Sequence, residues 1–94
     1  VPTTEFKEQT DGGKEWWING KHHRINGPAI ENLEGRNKWY INGSLHREDG
    51  PAVIYSDGYK EWWLNDVPVS AQEVFDRLTD EEKNEVIWNM DEWR

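Results

Sequence analysis

The stretch WYINGSLHREDGPA, Trp39–Ala52, decides the fold, because nearly the same string, WWINGKHHRINGPA, stands one copy earlier at Trp16–Ala29. A shorter match, WWLND, follows at Trp62–Asp66. Residues 12–34 and 35–57 are identical at ten of 23 positions without a gap. The chain is therefore built on a repeat of 23 residues.

Each copy has the pattern of a β-hairpin. Asp57-Gly58 stands between AVIY and KEWWL, two segments rich in β-branched and aromatic residues, and is typical of a two-residue type I′ turn. Glu34-Gly35 and Asp11-Gly12 hold the same place in the other copies. Such a turn predicts the cross-strand pairs Val53 with Trp62, Ile30 with Trp39, and Phe6 with Trp17.

Alternation along these strands predicts two faces. The apolar face, which we assign to the core, holds Trp16, Trp39, Trp62, Ile18, Ile41, Leu64, Ile30, Val53 and Tyr55. The opposite face holds a second aromatic row interleaved with charged residues: Trp17, Tyr40 and Trp63 with Glu15, Lys38 and Glu61. This row is unusual because an ordinary solvent-facing side would be polar throughout.

The tail changes to a helical period. Ser70 with Glu73, and Thr79 with Glu82, form capping boxes that predict two short helices. Their predicted apolar stripes, expected to cover the Trp16/Trp39/Trp62 face, are Ala71, Val74, Phe75 and Leu78, then Val86, Ile87, Met90 and Trp93. Trp88 lies off the second stripe and is predicted to be exposed. The predicted fold class is α+β, with an antiparallel sheet of three hairpin repeats over residues 1–69 and a helical segment over residues 70–94, packed as one domain.

Composition and charge exclude several kinds of site and partner. The chain has 94 residues, seven Trp and no Cys, which excludes disulfides and thiolate metal sites. Its formal net charge is −8, from 19 acidic and 11 basic residues. An acidic chain lacks the basic surface that binds phosphate backbones or anionic lipid. We therefore predict no direct nucleic-acid or membrane partner and a protein partner with a basic surface.

The repeat resembles the MORN repeat family. The match covers roughly residues 6–66 and is closer to a divergent variant, N-G-x-x-H-R-x-D-G-P-A, that looks like repeats in phage and giant-virus proteins. The residues that carry it are Asn19-Gly20, His23-Arg24, Asn26–Ala29, Asn42-Gly43, His46-Arg47 and Asp49–Ala52. The resemblance implies a scaffold or interaction surface. The basic lipid-binding character of some members is absent, so membrane binding is not implied.

Three histidines are the only residues that invite a catalytic or metal role. The three are His22, His23 and His46. A metal site would need His23, His46 and an acid such as Asp49 to converge. His23 and His46 are the same position of successive repeats, so we predict a structural part for each, bonding to connector backbone or stacking on Trp. No nucleophile elbow, phosphate-binding Gly loop or metalloprotease helix is present. We predict no enzyme, no metal and no cofactor.

The second aromatic row allows two interpretations. It forms a buried layer if the sheet coils or self-associates as a homodimer, or it is an exposed strip that binds a partner. The predicted binding residues are Trp17, Tyr40, Trp63, Glu15, Lys38, Glu61 and Trp88. We predict a non-catalytic protein-binding module, a phage-type accessory protein that binds or inhibits a host protein in the cytoplasm. The alternative is a carbohydrate- or cell-wall-binding module that uses the same row. The acidic tail is either a solvated face or a surface aimed at a basic protein.

Overall fold

The computed structural model describes residues 5–9, 12–32, 34–88 and 93. Antiparallel strands occupy most of the chain and two short helices follow them, which confirms the predicted α+β class. The strands are β1 (Glu5–Glu8), β2 (Lys14–Ile18), β3 (Lys21–His22), β4 (Ile30–Glu31), β5 (Asn37–Lys38), β6 (Tyr40–Ile41), β7 (Ser44–Leu45), β8 (Val53–Ile54), β9 (Lys60–Leu64) and β10 (Val67–Val69). The helices are α1 (Ala71–Asp76) and α2 (Asp80–Trp88).

The main sheet has the order β1-β2-β4-β5-β8-β9-β10, and every neighbouring pair is antiparallel. Strand β3 pairs with β2, and β6 and β7 form a separate two-stranded ribbon. Strand β10 therefore ends the sheet immediately before the helical tail.

The predicted two-residue turns at the hairpin tips are wrong. The Tyr55 N–H donates to the Tyr59 carbonyl at 2.9 Å, so the loop between them has three residues. Gly58, the last of the three, has φ of +90°, as expected where a type I turn is followed by a left-handed residue. The Asp57 carboxylate accepts the Tyr59 N–H at 3.0 Å and favours this longer turn.

The longer turn shifts the register by one residue. Val53 lies opposite Glu61 instead of Trp62, and Ile30 lies opposite Lys38 instead of Trp39. A shift of one residue moves a side chain to the other face, so Ile30, Val53 and Tyr55 join the second aromatic row instead of the face of Trp62.

The first hairpin has the same correction. Phe6 lies opposite Trp16 instead of Trp17, and the two rings are 5.1 Å apart. Glu8 then faces Lys14. The observed register avoids the pair of glutamates, Glu8 with Glu15, that a two-residue turn would place opposite each other.

Two-residue turns occur instead at the other end of each hairpin. Asn19, Asn42 and Asn65 all have φ of 50° and precede a second left-handed residue, which is the type I′ geometry. These turns join β2 to β3, β6 to β7 and β9 to β10.

The helices begin where the sequence predicts. The Ser70 hydroxyl accepts the Glu73 N–H at 3.1 Å. The Thr79 hydroxyl accepts the Glu82 N–H at 3.2 Å, while the Glu82 carboxylate accepts the Thr79 N–H at 3.0 Å. Both ends of this second capping box are satisfied.

The helical stripes are correct in part. Val74, Leu78 and Val86 are buried. The prediction that Ile87 is buried is wrong, because 59% of the residue is exposed. Met90 lies outside the described residues. Trp93 packs 6.1 Å from the ring of Trp62 and 6.1 Å from that of Phe75. The tail therefore covers the third tryptophan of the predicted core face.

Arginine side chains cover the other two tryptophans of that face. The Arg24 guanidinium lies 3.7 Å from the centre of the Trp16 ring, and the Arg47 guanidinium 4.1 Å from that of Trp39. The fully buried positions of the sheet are small ones, Ala29, Ala52 and Val53. The tryptophans of the repeats are half-buried: Trp16, Trp17, Trp39, Trp62 and Trp63.

Candidate functional surfaces

The second aromatic row lies on one face of the sheet and is half-buried at every position. Trp17 stacks on His22 with ring centres 3.7 Å apart, and His22 lies 5.3 Å from the ring of Tyr40. The indole nitrogen of Trp17 is buried without a hydrogen-bond partner in the part of the chain that the structure describes. The row therefore contributes to packing within this face.

Two of the predicted charged residues, Glu15 and Glu61, bond to ring side chains of this face. Glu15 accepts a hydrogen bond from Gln9 and lies 2.7 Å from His22 Nε2. The indole N–H of Trp63 donates to Glu61 at 2.9 Å, and the Tyr55 hydroxyl donates to the same carboxylate at 3.2 Å. These carboxylates hold the rings in position.

Lys38 lies in the middle of the cross-strand row that runs from Glu15 to Glu61. It lies between Ile30 of one neighbouring strand and Val53 of the other. The structure thus brings together six of the seven predicted binding residues on one face, and the seventh, Trp88, lies on α2.

His22 also lies on this face, a position that the sequence pattern did not predict. It stands directly opposite Trp17 because the Asn19-Gly20 turn folds β3 back onto β2. Asn-Gly is itself a strong hairpin signal, so the pair could have been found by treating the connector as a strand.

Tyr40 gives a measurable probe of this face. Burial, and then the nearby Asp66 carboxylate, raise the pKa of Tyr40 above its ordinary value of 10.0. The unfolded chain therefore loses this proton first as the pH rises, and the contribution of Tyr40 to stability declines from about pH 10 upward. We expect Asp66→Asn to lower the pKa of Tyr40, because the charge is removed.

Asparagine at position 66 is a conservative test of that prediction. Its side-chain oxygen can still accept the Leu45 N–H, as Asp66 does at 2.7 Å, and it tolerates the φ of 66° at this position. The tyrosinate absorbance titration, with Tyr40→Phe to assign the signal, measures the shift. An unchanged pKa in the Asp66→Asn variant would contradict the role given to this carboxylate.

His23 and His46 bond to backbone, as the sequence predicts. His23 Nδ1 accepts the Asn42 N–H at 3.0 Å, and His46 Nδ1 accepts the Asn65 N–H at 3.0 Å. Each imidazole therefore ties one repeat to the turn of the next. Among the described residues, no three His, Asp or Glu side chains are grouped so as to hold a metal ion.

Arg24 and Arg47 clamp their connectors onto the sheet. Arg24 donates to the Pro28 carbonyl and to Glu31, each at 3.2 Å. Arg47 donates to the Pro51 carbonyl at 3.1 Å and to Asp49 at 2.8 Å. The same guanidinium lies on a Trp ring, so each arginine joins connector, sheet and carboxylate.

An open groove of about 830 Å³ lies between the two connectors. Trp39 and Ile41 line it from the sheet, and Glu82 reaches it from α2. The remaining lining residues belong to the connectors: Arg24, Ile25, Asn26, Gly27, His46, Arg47, Glu48 and Asp49. The part of the predicted core face that the helical tail leaves open is thus a polar groove with Trp39 in its wall.

Helix α2 presents the most exposed aromatic residue described. Trp88 is 86% exposed, as its position off the helical stripe predicts. Glu81 and Glu85 precede it by seven and three residues, so all three lie on the same side of the helix. Both glutamates are exposed as well.

Comparisons with known proteins give no relative: the chain matches no protein-family model, no curated protein and no solved structure. Among the described residues, no helix combines the length and apolar character needed to cross a bilayer. The fold and the side-chain geometry therefore carry the functional argument.

Proposed function

We propose that the protein is a non-catalytic protein-binding module whose partner presents a basic surface. One observation carries the proposal: a tryptophan, Trp88, stands 86% exposed beside two exposed glutamates, Glu81 and Glu85, on one side of α2. A large aromatic ring left in water is costly for a monomer and is typical of an interface anchor.

Charge indicates the chemistry of the partner. The chain carries −8 overall, and residues 70–94 contribute eight acidic and three basic residues to it. Opposite charge on a partner accelerates association and orients it. A basic protein surface would cover the Trp88 ring and complement the negative charge around it.

The aromatic face of the sheet is the second surface for the same function. Trp17, Tyr40 and Trp63 are half-buried, so they offer a rigid face that loses little entropy on binding. We further propose that the sheet is a MORN-like scaffold of a phage-type accessory protein acting on a host protein in the cytoplasm.

The alternative function, carbohydrate binding on the aromatic row, needs ring faces that are free to stack on a sugar. The Trp17 ring contacts His22 at 3.7 Å and lies 5.1 Å from the Lys7 ammonium. We prefer protein binding because it uses the row and Trp88 without requiring a free ring face.

Affinity capture tests the proposal. We expect the wild-type chain to retain a basic protein from a lysate of its source cell or host, and Trp88→Ala to reduce the retained amount at least tenfold, because an anchor residue typically contributes 2 kcal/mol or more. Tyr59→Ala is the matched control, since Tyr59 is also an exposed aromatic residue, at a hairpin tip.

The salt dependence of capture provides the second criterion. Raising the ionic strength should weaken retention, because the partner is held partly by exposed charges. Equal retention by Trp88→Ala and wild type would exclude the α2 surface. If Trp17→Ala with Trp63→Ala then abolished retention, the interface would be the sheet face instead.

A further inference from the structure

The groove between the connectors contains more negative charge than its own arginines neutralise. Arg24 pairs with Glu31 and Arg47 pairs with Asp49. Glu48 and Glu82 also line the groove. Over residues 5–9, 12–32, 34–88 and 93, no Lys or Arg is found within ion-pair distance of either carboxylate.

The hydrogen bonds of these two carboxylates leave their charge in place. Glu48 accepts from His46 Nε2 at 3.2 Å, and its side chain is 79% exposed. His46 Nδ1 already accepts the Asn65 N–H, so the ring proton is on Nε2 and the imidazole of this arrangement is neutral. Within the part of the chain that the structure describes, Glu82 accepts one hydrogen bond, from the backbone N–H of Thr79.

We propose that this groove binds an arginine side chain of the basic partner, with the guanidinium between Glu48 and Glu82, beside the wall formed by Trp39 and the Arg47 that lies on it. This inference rests on the proposed function and assigns it a second contact, separate from Trp88. The excess negative charge attracts a cation, and two carboxylates favour one that is planar and forked.

The protein's own repeat shows that this environment suits a guanidinium. Arg24 and Arg47 each lie on a tryptophan ring, 3.7 and 4.1 Å from its centre, and each is bonded to a carboxylate. The groove offers a ligand two further carboxylates and an open approach from solvent, next to the Trp39–Arg47 pair. Lysine lacks the planar fork that bonds two carboxylates together.

The test uses tetra-arginine as the probe and tetra-lysine as its matched cation. In nitrogen-15 spectra of the full chain, we expect tetra-arginine to shift the indole N–H signal of Trp39 and to bind several-fold more tightly than tetra-lysine. An unmoved Trp39 signal, or equal binding of the two peptides, would overturn the proposal.

A pair of double variants separates the groove from general attraction to an acidic protein. Glu48→Gln with Glu82→Gln removes two charges from the groove, and glutamine at position 82 retains the capping box. Asp80→Asn with Glu81→Gln removes two charges from exposed positions of α2 that do not belong to the groove lining. Both take the net charge from −8 to −6.

We expect the groove variant to weaken tetra-arginine binding about tenfold, the usual size of one lost charge-assisted contact, and the α2 variant to weaken it far less. Equal losses of tetra-arginine affinity in the two variants would show non-specific electrostatic attraction and overturn the proposed arginine site.

The capture experiment distinguishes failure of this inference from failure of the proposed function. Loss of the partner in Trp88→Ala, with full retention in the groove variant, would leave the protein-binding function standing and reject the arginine site. Reduced retention in both supports the site as part of the interface.

Discussion

Replacing Trp62 with alanine should lower the free energy of unfolding by about 3–5 kcal/mol, the usual cost of removing a packed tryptophan. The ring lies between the sheet and the tail, 6.1 Å from the ring of Trp93, and its indole nitrogen is buried. A domain of this size has only about 5–14 kcal/mol of total stability, so a large fraction would be lost. Chemical denaturation followed by circular dichroism measures it.

Trp88→Ala is the control for that experiment. The two residues have identical side chains, but Trp88 is 86% exposed, so its removal should change stability by less than about 0.5 kcal/mol. A loss at Trp62 as small as the loss at Trp88 would contradict the packing of the tail on the third repeat.

The role of Trp62 follows from where the repeat stops. One repeat beyond Arg24 lies Arg47, and one repeat beyond Arg47 lies Ser70, the first residue of the helical segment. The third tryptophan therefore has no arginine from its own connector to cover it. Trp93 of the tail, itself packed against Phe75, supplies that cover, so the tail completes a repeat that the sequence leaves unfinished.

The sequence was sufficient for features that depend on short-range chemistry. The α+β class follows from a change of hydrophobic period near Ser70, and the Thr79/Glu82 capping box is recognisable from four residues. The bonding of His23 and His46 to backbone follows from their recurrence at the same repeat position. The first two depend on local pattern alone. The histidine bonds join residues 19 apart, and only the repeat made a structural role predictable for them.

The same local pattern does not determine the register between the strands of each hairpin. Asp-Gly is compatible with both a two-residue turn and a three-residue turn that ends in a left-handed glycine. The Asp57 carboxylate and the Tyr55–Tyr59 backbone pair decide between them in the folded chain. The predicted Glu8–Glu15 repulsion was the one sign in the sequence that the register was off by a residue.

The candidate surfaces were predictable to different extents. The exposure of Trp88 follows from its position off a helical stripe. The groove was not foreseen, because the helical tail was expected to cover the whole Trp16/Trp39/Trp62 face. Whether two helices reach across three repeats depends on their lengths and packing, and α1 has only six residues.

Replacing Gly50 with alanine should destabilise the protein by about 2 kcal/mol through Arg47. A Cβ at position 50 would lie 2.7 Å from the Arg47 Cζ, so the guanidinium at the end of this side chain must shift. The shift would weaken its charge-assisted bond to Asp49, its bond to the Pro51 carbonyl and its contact with the Trp39 ring, each worth about 0.5–3 kcal/mol. Thermal and denaturant unfolding measure the loss.

Gly27→Ala is the comparison within the same chain. The equivalent Cβ there would lie 3.0 Å from the Arg24 Cζ, a milder approach that a small movement of the side chain can relieve. We therefore expect Gly27→Ala to cost less than Gly50→Ala, although the two glycines hold the same position of successive repeats.

A double-mutant cycle isolates the cause. All three of the closest atoms to a Cβ at position 50 belong to the Arg47 side chain. In an Arg47→Ala background the added methyl group therefore meets nothing as close, and Gly50→Ala should then be nearly neutral, with a coupling energy close to the single-variant loss. If Gly50→Ala lowers the free energy of unfolding equally with and without Arg47, the backbone conformation at position 50 requires the glycine. Contact with the arginine would then not explain why each connector has a glycine three residues after its arginine.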